Sequence, residues 1–114
     1  MSKTGWKARE RQAASMIGGT RYPANMGATV DVESDTFVGQ VKERKTLSLA
    51  ALEALVIEMD RVGAQKSPPK QGVVMVKRSA GKGRATPWLI VLSEAGFRAL
   101  NGALPGEENT RNEG

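Results

Sequence analysis

The run that opens at Ser48, with Leu49, Leu52, Leu55, Val56 and Met59 behind it, restricts the fold of this chain more than any other feature. These apolar side chains recur at three- and four-residue intervals and form one stripe of a helix reaching to about Val62. Ser48 supplies the N-cap and Gly63 the expected C-terminal stop. A helix with one apolar stripe must lie against a second layer, and strand-length runs stand on both sides of it. Thr36–Glu43 (TFVGQVKE) precedes it, while Val73–Lys77 (VVMVK) and Pro87–Leu92 (PWLIVL) follow.

Around this centre the remaining elements read in order. Trp6, Glu10, Ala13, Ala14 and Ile17 keep helical spacing over about Lys7–Ile17, and Gly18-Gly19 stops that helix. Thr20–Gly27 reads as an irregular link or short strand. Ala28–Glu33 (ATVDVE) reads as a strand, joined to the next by a turn at Ser34-Asp35. Ala64–Gln71 carries Ser67-Pro68-Pro69 and reads as a loop, as does the basic Ser79–Ala85, and Ser93 caps a last helix to about Leu100. The expected architecture is α/β: a small mixed β-sheet flanked by helices, with an αβββαβ core. At 114 residues the chain has room for one core, assigned to residues 1–101, with 102–114 expected as a disordered tail.

Composition narrows the chemistry. The absence of Cys and His excludes disulfides, thiol nucleophiles, Ser-His-Asp triads and zinc ribbons, and leaves oxygen as the ligand for any metal, which favours Mg2+ or Mn2+. No apolar stretch is long enough to span a bilayer and the first residues are too polar for a signal peptide, so the expectation is a cytoplasmic protein without membrane contact. A net charge of +5 points to a polyanion, with nucleic acid the first candidate. The cations gather in Lys3–Arg11 with Arg21, in Lys42–Lys45, and in Lys66–Arg84. Among them Arg9, Arg21, Arg44, Lys45, Lys77, Arg78, Lys82 and Arg84 are the expected backbone contacts. Only five residues are aromatic, which suits neither base stacking along single strands nor sequence-specific reading of RNA.

Polar residues where core side chains are expected locate a candidate site. Glu10 shares a helix face with Ala13, Ala14 and Ile17, where it either pairs with Lys7 or Arg11 or serves a function. Gln40 and Lys42 share one strand face, and hairpin pairing brings Asp31 beside them. A solvated hairpin face with ordinary cross-strand charge pairs accounts for that spacing as well as a site does.

The stretch GATVDVESDTFVGQVKERKTLS resembles the core motif of the PD-(D/E)XK nuclease superfamily, whose fold is restriction-endonuclease-like. Its phage and bacterial Holliday junction resolvase-like branch offers the nearest pattern. Asp31-Val32, Gln40-Val41-Lys42 and Glu43-Arg44-Lys45 stand at the family's Asp, acid-x-Lys and basic run, and Glu10 stands at its first-helix Glu. The resemblance implies a metal-dependent endonuclease acting on branched or structured DNA, as a homodimer. Asp31, Gln40, Glu10 and the Val41 carbonyl would hold Mg2+ or Mn2+, and Lys42 would stabilise developing charge. Gln40 departs from the pattern, since an amide oxygen can ligate but brings no negative charge, although virus-type replication-repair nucleases also carry Gln-x-Lys. Glu33, and less readily Glu43, are the acids available to compensate. The alternative is a nuclease-like fold, weakly active or inactive, that binds DNA as a module.

Overall fold

The computed structural model describes residues 3–21 and 30–102. Helix α1 (Lys3–Met16) leads into strands β1 (Thr20–Arg21), β2 (Val32–Glu33) and β3 (Phe37–Arg44). Helix α2 (Leu49–Ala64), strands β4 (Gln71–Arg78) and β5 (Trp88–Val91) and helix α3 (Glu94–Asn101) follow. The strands form one five-stranded sheet in the order β1-β2-β3-β4-β5, parallel only between β3 and β4 and antiparallel elsewhere. The expected mixed sheet flanked by helices, with its αβββαβ order, is what the chain forms. Most of the Thr20–Gly27 link, Ala28 and Thr29 of the expected Ala28–Glu33 strand and the tail from residue 103 onward lie outside the described residues. Of the rest of that strand only Val32–Glu33 is regular, since the ladder is broken at Asp31.

Period-two alternation along β3 and β4 divides the core in two. Val41, Val73 and Met75 join Val32, Ala13 and Ala14 beneath α1, with Trp6, Ile17, Phe37 and Trp88 packed at the margin. Val74 and Val76 meet Met59 beneath α2, where Leu52, Leu55, Val56 and Val62 complete the layer. Leu52, Leu55, Val56 and Met59 of the α2 stripe are therefore spent on the sheet, whereas Leu49, in the first turn beyond the sheet's cover, is 80% exposed. Each fully buried Val or Met contributes roughly 1.5–3 kcal/mol to this arrangement.

The boundaries show which local signals dominate. Gly18 (φ +68°) ends α1, with Gly19 N–H bonded to Ala14 O at 2.9 Å and Gly18 N–H to Ser15 O at 3.1 Å. This is the paired bonding of a Schellman cap. Ser48 caps α2 by accepting from Ala51 N–H at 3.1 Å, and Ser93 caps α3 by accepting from Gly96 N–H at 3.0 Å. Ser34 closes the β2–β3 turn: its hydroxyl accepts from the N–H groups of Thr36 and Phe37. Gly63 does not stop α2. The helix runs on through Ala64 to a cap at Gln65, and Gly63 is buried where a Cβ would run into the Lys70 carbonyl. It is a close-approach glycine.

Candidate functional site

Glu10, Arg21 and Lys42 lie within electrostatic reach of Asp31 where α1, β1, β2 and β3 meet. Asp31 stands just before β2, and its N–H donates to Gly39 O at 2.9 Å although the strand register pairs Gly39 with Val32. Two residues of one strand thus oppose one of the other, the pattern of a β-bulge, which re-aims the bulged side chain. The Asp31 carboxylate accepts from Val41 N–H at 2.9 Å, between Gln40 and Lys42. Burial pushes the Asp31 carboxyl above its usual pKa, the Val41 hydrogen bond opposes this, Glu10 adds to the rise, and Lys42 and Arg21 pull against it. Glu10, Lys42 and Arg21 thus all lie within electrostatic reach of Asp31.

Glu10 is only 7% exposed. Its partner is neither Lys7 nor Arg11 but Arg21 of β1, whose Nε lies 2.9 Å from Glu10 Oε1. Inward placement on α1 carries the Glu10 carboxylate over the sheet, toward β1 and away from the adjacent Arg11, which is exposed.

Gln40 is paired with Val74 of β4 in the register, and Lys42 with Val76, which sets both on the face covered by α2. The Gln40 Oε1 atom is buried and accepts no hydrogen bond from any described residue. A buried carbonyl oxygen without a donor costs about 1–3 kcal/mol unless something else supplies positive charge to it. Two carboxylates and one amide oxygen suit Mg2+ or Mn2+ in kind, but Gln40 lies on the α2 side of the sheet and Glu10 on the α1 side, so the structure does not bring all three to one point. Among the described residues no group of three or more acidic side chains is assembled. Any cation held here would rely on the neutral Gln40.

The two acids available to compensate for Gln40 are both engaged. Glu33 receives hydrogen bonds from Lys70 at 2.6 Å and Lys66 at 3.3 Å. Burial pushes its pKa up, but these two ammonium groups outweigh it and leave the carboxyl below its usual value. Glu43 faces α1 and meets Arg9 at 3.4 Å.

The expected nucleic-acid contacts divide in two. Arg9 and Arg21 are held by Glu43 and Glu10, and Lys77 donates to the carbonyl and hydroxyl of Thr86, with its Nζ 6.0 Å from the centre of the Trp88 ring. Thr86 in turn donates to Arg78 O at 2.7 Å. Lys77 therefore staples the base of the 79–87 loop. Arg44, Lys45, Arg78, Lys82 and Arg84 are exposed and, among the described residues, carry no carboxylate partner. The roles of Lys66, Lys70 and Thr86 have no periodic signal in the sequence, because each acts across the fold. Comparison with protein-family models, with curated proteins and with solved structures returns no match for this chain.

Proposed function

We propose that this chain is a metal-dependent DNA endonuclease of the PD-(D/E)XK type, hydrolysing phosphodiester bonds in branched or structured DNA. The observation that carries the reading is the Asp31 carboxylate anchored on Val41 N–H between Gln40 and Lys42, with the Gln40 oxygen buried and unpaired. Asp31 and Gln40 would hold Mg2+ or Mn2+. When bound, such an ion neutralises phosphate charge and lowers the pKa of a water. The Val41 amide fixes one Asp31 oxygen and leaves the other for binding. Lys42, on the same strand face as Gln40, carries positive charge to the place where negative charge grows on the phosphate. Arg21 neutralises Glu10.

Sequence expectation offers α2 or the last strand as the surface of a homodimer. All of the α2 stripe but Leu49 is covered by the sheet, whereas β5 is an edge strand with Ile90 half exposed. The β5 edge and Ile90 are the surface we assign to a second copy, whose test is sedimentation of Ile90→Lys, expected to be monomeric where the parent chain is dimeric. Among the described residues no helix is long and apolar enough to cross a membrane.

The decisive experiment is a nicking assay on branched and linear DNA with Mn2+, using the parent chain, Asp31→Ala and Lys42→Ala. Cleavage by the parent and at least about a hundredfold loss in each variant is expected, in line with removal of one charge-stabilising group. Equal cleavage by all three removes the site assignment. DNA binding without metal uptake at Asp31 supports the alternative of a non-catalytic DNA-binding module, for which the neutral Gln40 is the favouring feature.

A further inference from the structure

A groove of about 390 Å³ opens on the α2 face of the sheet, over the ends of β3, β4 and β5. Its floor is aliphatic, made by Leu47, Leu52, Val76, Leu89 and Val91. Three cations, Arg44, Lys45 and Arg78, stand in its wall. Among the described residues the Arg44 guanidinium donates to the carbonyl of Glu43 and neither Lys45 nor Arg78 meets a carboxylate, so this positive charge is not consumed by those residues. Leu89 is 51% exposed, an uncovered apolar side chain next to those charges.

The groove adjoins the strand position of Lys42. Val76, part of its floor, is the register partner of Lys42, and Arg44 in its wall is the partner of Arg78. Lys42 and Arg44 are two residues apart on β3, about 7 Å along the strand. A phosphate beside Lys42 would thus have its neighbour within reach of Arg44 and Lys45, with the intervening base directed at the aliphatic floor. In an intact duplex that base is paired and stacked, and cannot enter. A base that is already unpaired enters without the cost of extrusion.

We infer that the Leu47–Leu89 groove receives an unpaired base, and that the substrates of this chain are DNAs with an unpaired nucleotide next to the scissile phosphate. This rests on the nuclease reading for the position of the cut but not for the binding itself. The charge of the wall favours a polyanion, and the apolar floor favours the one part of a nucleotide that is neither charged nor solvated on its faces.

The test measures binding alone, in chelator and without cleavage, so it separates from the fate of the nuclease reading. The full chain is titrated into a short labelled DNA duplex and into the same duplex with one unpaired 2-aminopurine. The bulged probe should bind at least about fivefold tighter, from the apolar surface that one base buries on the aliphatic floor, with a change in 2-aminopurine emission. Leu89→Glu should abolish that preference while keeping the affinity for the intact duplex within about twofold. The exposed Lys45→Glu should weaken the bulged probe more than the intact one. Circular dichroism and sedimentation matching the parent show that fold and oligomeric state are kept. Equal binding of both probes by the parent, or a preference unchanged in both variants, overturns the inference. So does an acidic, leucine-bearing peptide that binds the parent but not Leu89→Glu while the bulged probe binds both alike. Cleavage abolished with the preference intact sinks only the nuclease reading, and Asp31-dependent cleavage with no preference sinks only the groove.

Discussion

Gln40 sets the character of the candidate site, because it is the one member whose oxygen is buried without a donor and without charge. Gln40→Glu should tighten Mn2+ binding by roughly tenfold, equivalent to ~1.4 kcal/mol for an added carboxylate near a cation, as read by calorimetry. The same change without metal should lower the melting temperature, since a buried carboxylate would then stand without a cation. Unchanged metal affinity in Gln40→Glu would place the cation elsewhere. Glu33 offers a test by pH. Its carboxyl lies below the ordinary 4.5 because Lys70 and Lys66 overcome the effect of burial. In the window between that lowered value and 4.5 the unfolded chain binds the more protons, so the stabilisation is complete above 4.5 and disappears as pH falls through the lowered value. Glu33→Gln should therefore be less stable than the parent at neutral pH and match it in strong acid, as followed by urea unfolding across pH.

At the scale of elements, close backbone approach decides where α2 can lie. Gly72 of β4 sits where a Cβ would run into the Met59 backbone, and Gly63 meets the Lys70 carbonyl in the same way. Because the obstacle is main chain, a side chain cannot rotate aside. Gly72→Ala should cost at least about 2 kcal/mol by separating α2 from the sheet, whereas Gly81→Ala, in a loop with open space around it, should cost about 1 kcal/mol through its positive φ alone. Chemical denaturation of the two variants distinguishes them. The turn and cap residues Ser34, Ser48 and Ser93 behave as their sequence context predicts, since each bonds to N–H groups two or three residues away. Gly63 does not, because a glycine near the end of a helical pattern reads as a stop until the strand passing beside it is known.

At the scale of the whole molecule, internal pairing sorts the basic residues. Arg9, Arg21, Lys66 and Lys70 hold the fold together across long stretches of sequence, and Lys77 ties down the loop that carries Lys82 and Arg84. Binding to duplex DNA should weaken with salt. Replacing Lys82 and Arg84 together by Ala should lower the slope of log affinity against log salt by about 2, one for each phosphate no longer neutralised. Lys77→Ala should leave that slope nearly unchanged and lower thermal stability instead. A slope unaltered by the double substitution would remove the 79–87 loop from the interface.

The sequence by itself determined the elements, because caps, turns and apolar periodicity act over a few residues and carry their physics locally. Ser48 with its leucine stripe, the Gly18-Gly19 stop and the alternation of β3 all specify structure without reference to distant chain. It also determined that any metal is held by oxygen, since neither Cys nor His is present. Only the tertiary structure decided the partners. Glu10 chose Arg21 over its helix neighbours, Glu33 was captured by two lysines more than thirty residues away, and Gln40 was left with a bare buried oxygen. The reason is that charge pairing and desolvation depend on distance through space, and the strand order β1-β2-β3-β4-β5 sets those distances only once the sheet has closed beneath both helices.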